Sequence, residues 1–125
     1  MSRPRVILLL VALSLALVSC SQNAAAPSGQ ALVARLPDGA EGVGLVKGGL
    51  RLKNGYKFVQ DTDTTFAITR TSDGQNVLTG ACTCKTSGGC VAELREGVIV
   101  CEAVDCSDCG LDLMIGGVTT RIIKY

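Results

Sequence analysis

Seven cysteines give this chain most of its chemical options, because a thiol can be acylated, oxidised to a disulfide, bound to a soft metal ion or used in thiol exchange. One of them, Cys20, stands apart near the start of the chain. The other six fall within a stretch of 28 residues, and we call them the distal cysteines. The distal cysteines are Cys82, Cys84, Cys90, Cys101, Cys106 and Cys109.

Structural disulfides are the chemistry that the distal cysteines favour. Their number is even, and the chain of 125 residues has two Tyr, two Phe and no Trp to fill a core. A domain with a thin core gains stability from covalent cross-links, which persist outside the reducing cytoplasm. Short intervening loops favour local pairing. Six cysteines allow 15 connectivities, and the sequence does not choose among them. Chain geometry favours the set Cys82–Cys101, Cys84–Cys90 and Cys106–Cys109.

A metal site and a redox site are the alternatives for the same thiols. The Cys-x-Cys and Cys-x-x-Cys spacings bring thiols together, so a soft metal ion could use Cys106, Cys109, Cys82 and Cys84. The paired knuckles of a zinc ribbon and the spacings of a ferredoxin are missing. A redox-active Cys106/Cys109 pair would normally lie in a βαβ context, which the sequence does not predict. We therefore expect structural disulfides and no resident cofactor.

Catalytic machinery is poorly represented in the rest of the chain. The absence of histidine excludes a Ser-His-Asp triad, a Cys-His pair and a His-containing zinc site. Asp105, Asp108 and Asp112, and also Asp61 with Asp63, offer carboxylates for calcium, but neither group fits the calcium-loop motif. Asp and Thr in such places usually cap turns. We expect a protein that is not an enzyme.

The first 19 residues have the pattern of an export signal. Arg3 and Arg5 precede an apolar run from Val6 to Val18, which is the order of a charged and then an apolar signal region. The run of about 13 residues is shorter than the roughly 20 that a helix needs to cross a membrane. The pattern predicts a removable signal helix over residues 1–19.

The apolar run ends in Leu17-Val18-Ser19-Cys20. This segment resembles the lipobox of bacterial lipoproteins. The resemblance implies that the Cys20 thiol carries a diacylglyceryl group, that the signal is cut just before it, and that the domain is lipid-anchored outside the cytoplasm, at the cell membrane or the outer membrane. Ser21 follows the cysteine, which is similar to the default outer-membrane sorting signal of double-membrane bacteria. The alternative is an ordinary signal cut within Ala24 to Ala26, which would release the protein.

The tether and the charge of the mature chain limit its partners. Residues 20–30 hold the acylated cysteine followed by small and polar uncharged residues, a composition typical of a flexible tether. Loss of Arg3 and Arg5 with the signal reduces the basic residues from 12 to 10 against 11 acidic ones, so the mature net charge is −1. We expect a membrane partner through Cys20, no nucleic-acid partner, and an envelope protein or small ligand that the sequence does not identify.

Residues 31–125 predict a cysteine-rich, all-β domain. Their apolar residues come in short runs separated by turn residues, without a helical period. This spacing of apolar runs and turn residues predicts a small antiparallel sandwich or barrel of hairpins. The predicted hairpin turns are Asn54-Gly55, Ser72-Asp73-Gly74, Arg95-Glu96-Gly97 and Gly116-Gly117.

The hairpin predicted at Asn54-Gly55 has a defined register. A two-residue turn there would place Lys53 opposite Tyr56 and Arg51 opposite Phe58, with cationic stems over aromatic rings.

Together these patterns predict an envelope lipoprotein whose disulfide-stabilised β domain has a binding or structural role. The alternative is an envelope metal-binding or thiol-redox protein that uses the distal cysteines.

Overall fold

The computed structural model of this chain describes residues 29–125, which form two antiparallel β-sheets and contain no helix. The prediction of an all-β, cysteine-rich fold, either a small antiparallel sandwich or a barrel, is confirmed, and the two sheets make it a sandwich. The predicted signal helix, Cys20 and residues 21–28 of the tether lie outside the described residues. Within residues 29–125, no helix has the length and apolar character needed to cross a membrane.

One sheet has six strands and the other has four. The six-stranded sheet has the order β1-β10-β9-β6-β5-β4 and the four-stranded sheet has the order β2-β3-β8-β7. The first five strands are β1 Gln30–Ala31, β2 Val43–Val46, β3 Gly49–Leu52, β4 Tyr56–Gln60 and β5 Thr65–Arg70. The last five are β6 Asn76–Cys84, β7 Gly89–Arg95, β8 Val98–Val104, β9 Cys109–Ile115 and β10 Val118–Lys124.

Alternation along the strands places the core between the two sheets. In β6, Leu78, Gly80 and Cys82 are buried, whereas the residues between them are partly exposed. The ring of Phe66, which is 0% exposed, occupies the space where a side chain at Gly80 would lie. Gly80 is therefore required for this ring to reach the core, and the core contains little other aromatic volume.

Three of the predicted hairpins are confirmed, namely β5–β6, β7–β8 and β9–β10. At the β7–β8 turn, Glu96 and Gly97 have φ angles of 50° and 77°, and at the β9–β10 turn Gly116 and Gly117 have φ angles of 59° and 78°. Two consecutive positive φ angles define a type I′ turn, whose twist matches that of the paired strands.

The prediction of a hairpin at Asn54-Gly55 is wrong. The turn joins the two sheets: β3 pairs with β2 and β8, whereas β4 pairs with β5. Phe58 accordingly lies opposite Ile68 and not opposite Arg51. Among the two turn residues, Gly55 alone has a positive φ, of 86°, so the turn is not the type I′ that would hold two strands together.

Two hairpins of the structure were missed by the sequence reasoning. β2 and β3 pair across Lys47 and Gly48, and β4 and β5 pair across residues 61–64. In the second loop, Thr62 Oγ1 accepts hydrogen bonds from the backbone N–H groups of Thr64 and Thr65 at 3.3 and 3.0 Å. The expectation that this segment caps a turn through its side chains is confirmed for Thr62.

Candidate functional site

The distal cysteines form three disulfides, as predicted from their number and their context. The bonded pairs have Cα–Cα distances of 5.6, 6.1 and 5.6 Å, which are ordinary for a disulfide. The pairs are, in the same order, Cys82–Cys101, Cys84–Cys106 and Cys90–Cys109.

The predicted connectivity is correct for Cys82–Cys101 and wrong for the other two pairs. The local pairs Cys84–Cys90 and Cys106–Cys109 do not form, because the strand alternation overrides short loop length. Cys90 on β7 and Cys109 on β9 both point into the interior, where they are 1% and 0% exposed. Each therefore meets a cysteine of the opposite sheet and not its neighbour in sequence.

Two of the disulfides are buried and join the two sheets. Cys82–Cys101 links β6 of the six-stranded sheet to β8 of the four-stranded sheet. Cys90–Cys109 links β7 of the four-stranded sheet to β9 of the six-stranded sheet. All four cysteines are at most 2% exposed. These bridges hold the faces of the sandwich together, and attack by an external thiol on either requires the domain to open.

The third disulfide, Cys84–Cys106, is partly exposed and joins the end of β6 to the loop between β8 and β9 at one end of the sandwich. Thr86 lies beside it, with its hydroxyl oxygen 3.4 Å from Cys84 Sγ and 3.7 Å from Cys106 Sγ. The backbone N–H of Ser107 donates to the same hydroxyl oxygen at 3.2 Å. A thiolate released from this bridge would have a hydroxyl donor within reach.

We expect mild reduction to open Cys84–Cys106 before the other two bridges, because an attacking thiolate can reach these sulfur atoms without unfolding the domain. Treatment of the native protein with a low concentration of dithiol, followed by alkylation and peptide mass mapping, should label Cys84 and Cys106 first. Labelling of Cys82 or Cys90 should require added denaturant. Equal labelling of all six positions in native protein would contradict this prediction.

The distal thiols do not form the metal set considered from the sequence. The Sγ atoms that approach one another within 4.8 Å are those of Cys82, Cys90 and Cys101. Only Cys82 belongs to the four cysteines considered as ligands. All three sulfur atoms are bonded to another sulfur, and a disulfide sulfur lacks the negative charge of the thiolate that binds soft metals. The arrangement supports cross-linking.

Arg121 organises a charged cluster that the sequence reasoning missed. Its guanidinium donates to Asp108 Oδ1 at 2.7 Å, to Asp112 Oδ1 at 3.2 Å and to the carbonyl oxygen of Thr83 at 3.0 Å. The side chains of Arg121 and Asp112 are 12% and 11% exposed. A side chain at Gly110 would overlap the guanidinium, so this glycine makes room for it. The one sequence signal was Asp112 itself, which interrupts an apolar stretch.

This cluster changes the interpretation of two acidic residues. Asp108 and Asp112 were considered as calcium ligands or as turn caps, and both carboxylates instead bind Arg121. Asp105 lies in the loop after β8 with a φ of 54°, a conformation that Asp tolerates better than most residues.

A second charged cluster lies at the start of β4. Arg70 Nη2 is 2.7 Å from Glu41 Oε2, its Nη1 is 2.7 Å from Asp73 Oδ2, and the Tyr56 hydroxyl donates to Glu41 at 2.8 Å. The hydrogen bond from Arg70 lowers the pKa of Glu41, and the hydrogen bond to Glu41 raises the pKa of Tyr56. These contacts join the segment that carries Glu41 to β4 through Tyr56 and to β5 through Arg70.

A shallow depression on the four-stranded sheet carries two cations. It has a volume of about 340 Å³ and is lined by Gly44, Val46, Arg51, Leu52, Lys53 and Asn54. Among residues 29–125, Arg51 and Lys53 form no ion pair, whereas Arg70, Arg95 and Arg121 each bind two carboxylates.

Comparison of the chain with models of protein families, with curated proteins and with solved structures finds no match.

Proposed function

We propose that this chain is a lipoprotein of the bacterial cell envelope, held by an acyl group on Cys20, whose disulfide-bonded β domain has a binding or structural role. The observation that carries the proposal is the pairing of the cysteines. The six distal cysteines bond to one another, which accounts for every cysteine of the chain except Cys20. Cys20, which follows the apolar run directly, is thus the one cysteine that these three disulfides do not use.

The disulfides support the export step of the proposal. Disulfides persist in oxidising compartments and are rare in the reducing cytoplasm of most cells. Three bridges in about 100 residues therefore favour a domain that folds after leaving the cytoplasm. This agrees with an export signal before Cys20.

The position of the first strand supports the tether. Gln30 of β1 pairs with Lys124 at the end of β10, and Lys124 pairs with Gly110 at the start of β9. The chain therefore enters the domain at the end that carries the Cys84–Cys106 bridge. In the proposed arrangement this end lies nearest the lipid, and the β5–β6 and β9–β10 turns lie farthest from it.

Metabolic labelling tests the anchor directly. The full chain is expressed in a bacterium supplied with an alkyne fatty acid, and labelling and membrane retention are measured. We expect the wild type to be labelled and membrane-bound, and Cys20→Ser to lose the label at least about tenfold because no thiol remains for the thioether bond. Ser19→Ala keeps both the small residue and the cysteine and should behave as the wild type.

Two results would overturn the anchor. An unlabelled wild type that begins after Ala24 to Ala26 would indicate an ordinary secreted protein. Label that persists in Cys20→Ser would place the lipid on another residue.

The competing proposal, an envelope metal or thiol-redox protein, makes a different prediction. It needs distal thiols that are free in native material, whereas our proposal needs none. The intact mass of the isolated protein, alkylated with and without prior reduction, distinguishes them. Six alkyl groups added only after reduction support our proposal, and bound metal with free thiols supports the alternative.

A further inference from the structure

The edge strand β4 has backbone groups that no described residue satisfies. In its pairing with β5, the Asp61 N–H donates to the Thr65 carbonyl at 3.0 Å and the Thr71 N–H donates to the Gly55 carbonyl at 2.9 Å. Hydrogen-bonded positions alternate along an antiparallel ladder, so the N–H and C=O groups of Phe58 and Gln60 point away from β5. Within residues 29–125 these four groups have no hydrogen-bond partner.

The other sheet edges of the described chain are short or covered. β1 has two residues. β2 has four residues, one fewer than β4. On β7, the Ala92 N–H donates to the Asp63 carbonyl, and the Ala92 carbonyl accepts from Gln60 Nε2 at 3.0 Å. Among these edges of the described residues, β4 is longer than β1 and β2 and, unlike β7, has no hydrogen bond from another segment to its outward backbone groups. Such an edge is a template for another strand.

We propose that a second copy of this chain occupies the β4 edge, with the two β4 strands antiparallel about a two-fold axis through Phe58. This register pairs all five residues of both strands. It places Phe58 opposite Phe58, Lys57 opposite Val59, and Tyr56 opposite Gln60 of the second copy. It offers about four backbone hydrogen bonds, from Phe58 and Gln60 of each copy.

Charge complementarity selects a second copy as the occupant. Lys57 is the single charged residue of β4, and the register keeps the two Lys57 side chains from facing each other directly. On the same face, Lys57 of one copy lies diagonal to Asp61 of the other, and the two-fold symmetry repeats this contact, so the dimer has two such pairs of opposite charge. A foreign strand would use the same hydrogen bonds, whereas the complementary charges are those that β4 and the following Asp61 themselves carry.

The size of the contact sets its strength. A pair of five-residue strands buries less than the roughly 1,200 Å² of a standard interface, so the dimer is expected to be weak and dependent on concentration.

Photo-cross-linking in the full chain in its membrane tests the contact. A photoreactive amino acid replaces Val59, which is 38% exposed, and in a control it replaces Val118, which is 64% exposed on β10. We expect a product of twice the chain mass from position 59, with the cross-link in β4 of the other copy, and none from position 118. A cross-link only to a different protein, or no product at position 59, overturns the proposal.

Charge reversal gives a second, independent readout of the register. Lys57→Asp and Asp61→Lys should each reduce the cross-linked fraction about tenfold, since each places like charges together twice. The double variant carrying both changes should restore it to within about twofold of the wild type. Lys47→Asp, in the β2–β3 turn, is the matched control and should leave it unchanged. Failure of the double variant to recover, with the fold intact by circular dichroism, overturns the register.

Discussion

Replacing Cys82 and Cys101 together by alanine is expected to lower the free energy of unfolding by about 3 to 5 kcal/mol. The bridge closes a separation of 19 residues, for which the lost chain entropy alone is worth about 3 kcal/mol. Both sulfur atoms are buried between the sheets, so their removal also takes packing from the core. Chemical denaturation of the variant and the wild type, both non-reduced, measures the difference.

The pair Cys84 and Cys106 is the matched control. Its separation of 22 residues differs in chain entropy by only about 0.1 kcal/mol, but this bridge is partly exposed. Replacing it by alanine should cost about 3 kcal/mol, the chain-entropy contribution alone, and the difference between the two variants isolates the contribution of burial. Equal losses would contradict the assignment of core packing to the cross-sheet bridge.

Arg121→Ala is expected to destabilise the domain by about 3 to 5 kcal/mol. The change removes both ion pairs and leaves Asp112, 7% exposed as a whole residue, without its cation. A buried charge without a partner is more costly than a buried pair is stabilising. The carbonyl of Thr83 also loses its donor. Thermal or chemical denaturation measures the loss.

Two variants check the mechanism behind this loss. Combining Arg121→Ala with Asp112→Ala should recover part of the stability, because no unpaired carboxylate then remains at position 112. Arg95→Ala removes a comparable pair of contacts, to Glu93 and Glu102, but its side chain is 38% exposed and the loss should stay below about 1 kcal/mol. An equal effect at positions 95 and 121 would show that burial is not the cause.

The location of the cross-links explains how a domain with so little aromatic volume stays folded. Phe66 is the one fully buried aromatic side chain of the described chain. The two buried bridges run between the sheets in this core, so each constrains two strands that lie in different sheets and are not joined by backbone hydrogen bonds. Disulfide formation thus contributes to the stability of a domain that buries few large apolar side chains.

Much of the fold could be predicted from local sequence. The turns at Glu96-Gly97 and Gly116-Gly117 were predictable because their residues tolerate two positive φ angles, and strands on either side of such a turn pair with each other. The pairing of β3 and β4 could not be predicted in this way. Asn54-Gly55 has hairpin composition, but Leu50 is buried in one sheet and Phe58 packs against Phe66 in the other, and this packing decides the outcome.

The sequence by itself determined the all-β class and the oxidation of the distal cysteines, because strand periodicity, turn residues and an even cysteine count are local or compositional properties. The tertiary structure decided which cysteines meet. Cys90 and Cys109 have the same sequence separation, 19, as Cys82 and Cys101, and what brings them together is the alternation of their strands and the packing of one sheet on the other. The tertiary structure also decided that Arg121 binds Asp108 and Asp112. Contacts across neighbouring strands and loops depend on the register of the strands, and the register is a property of the whole sheet.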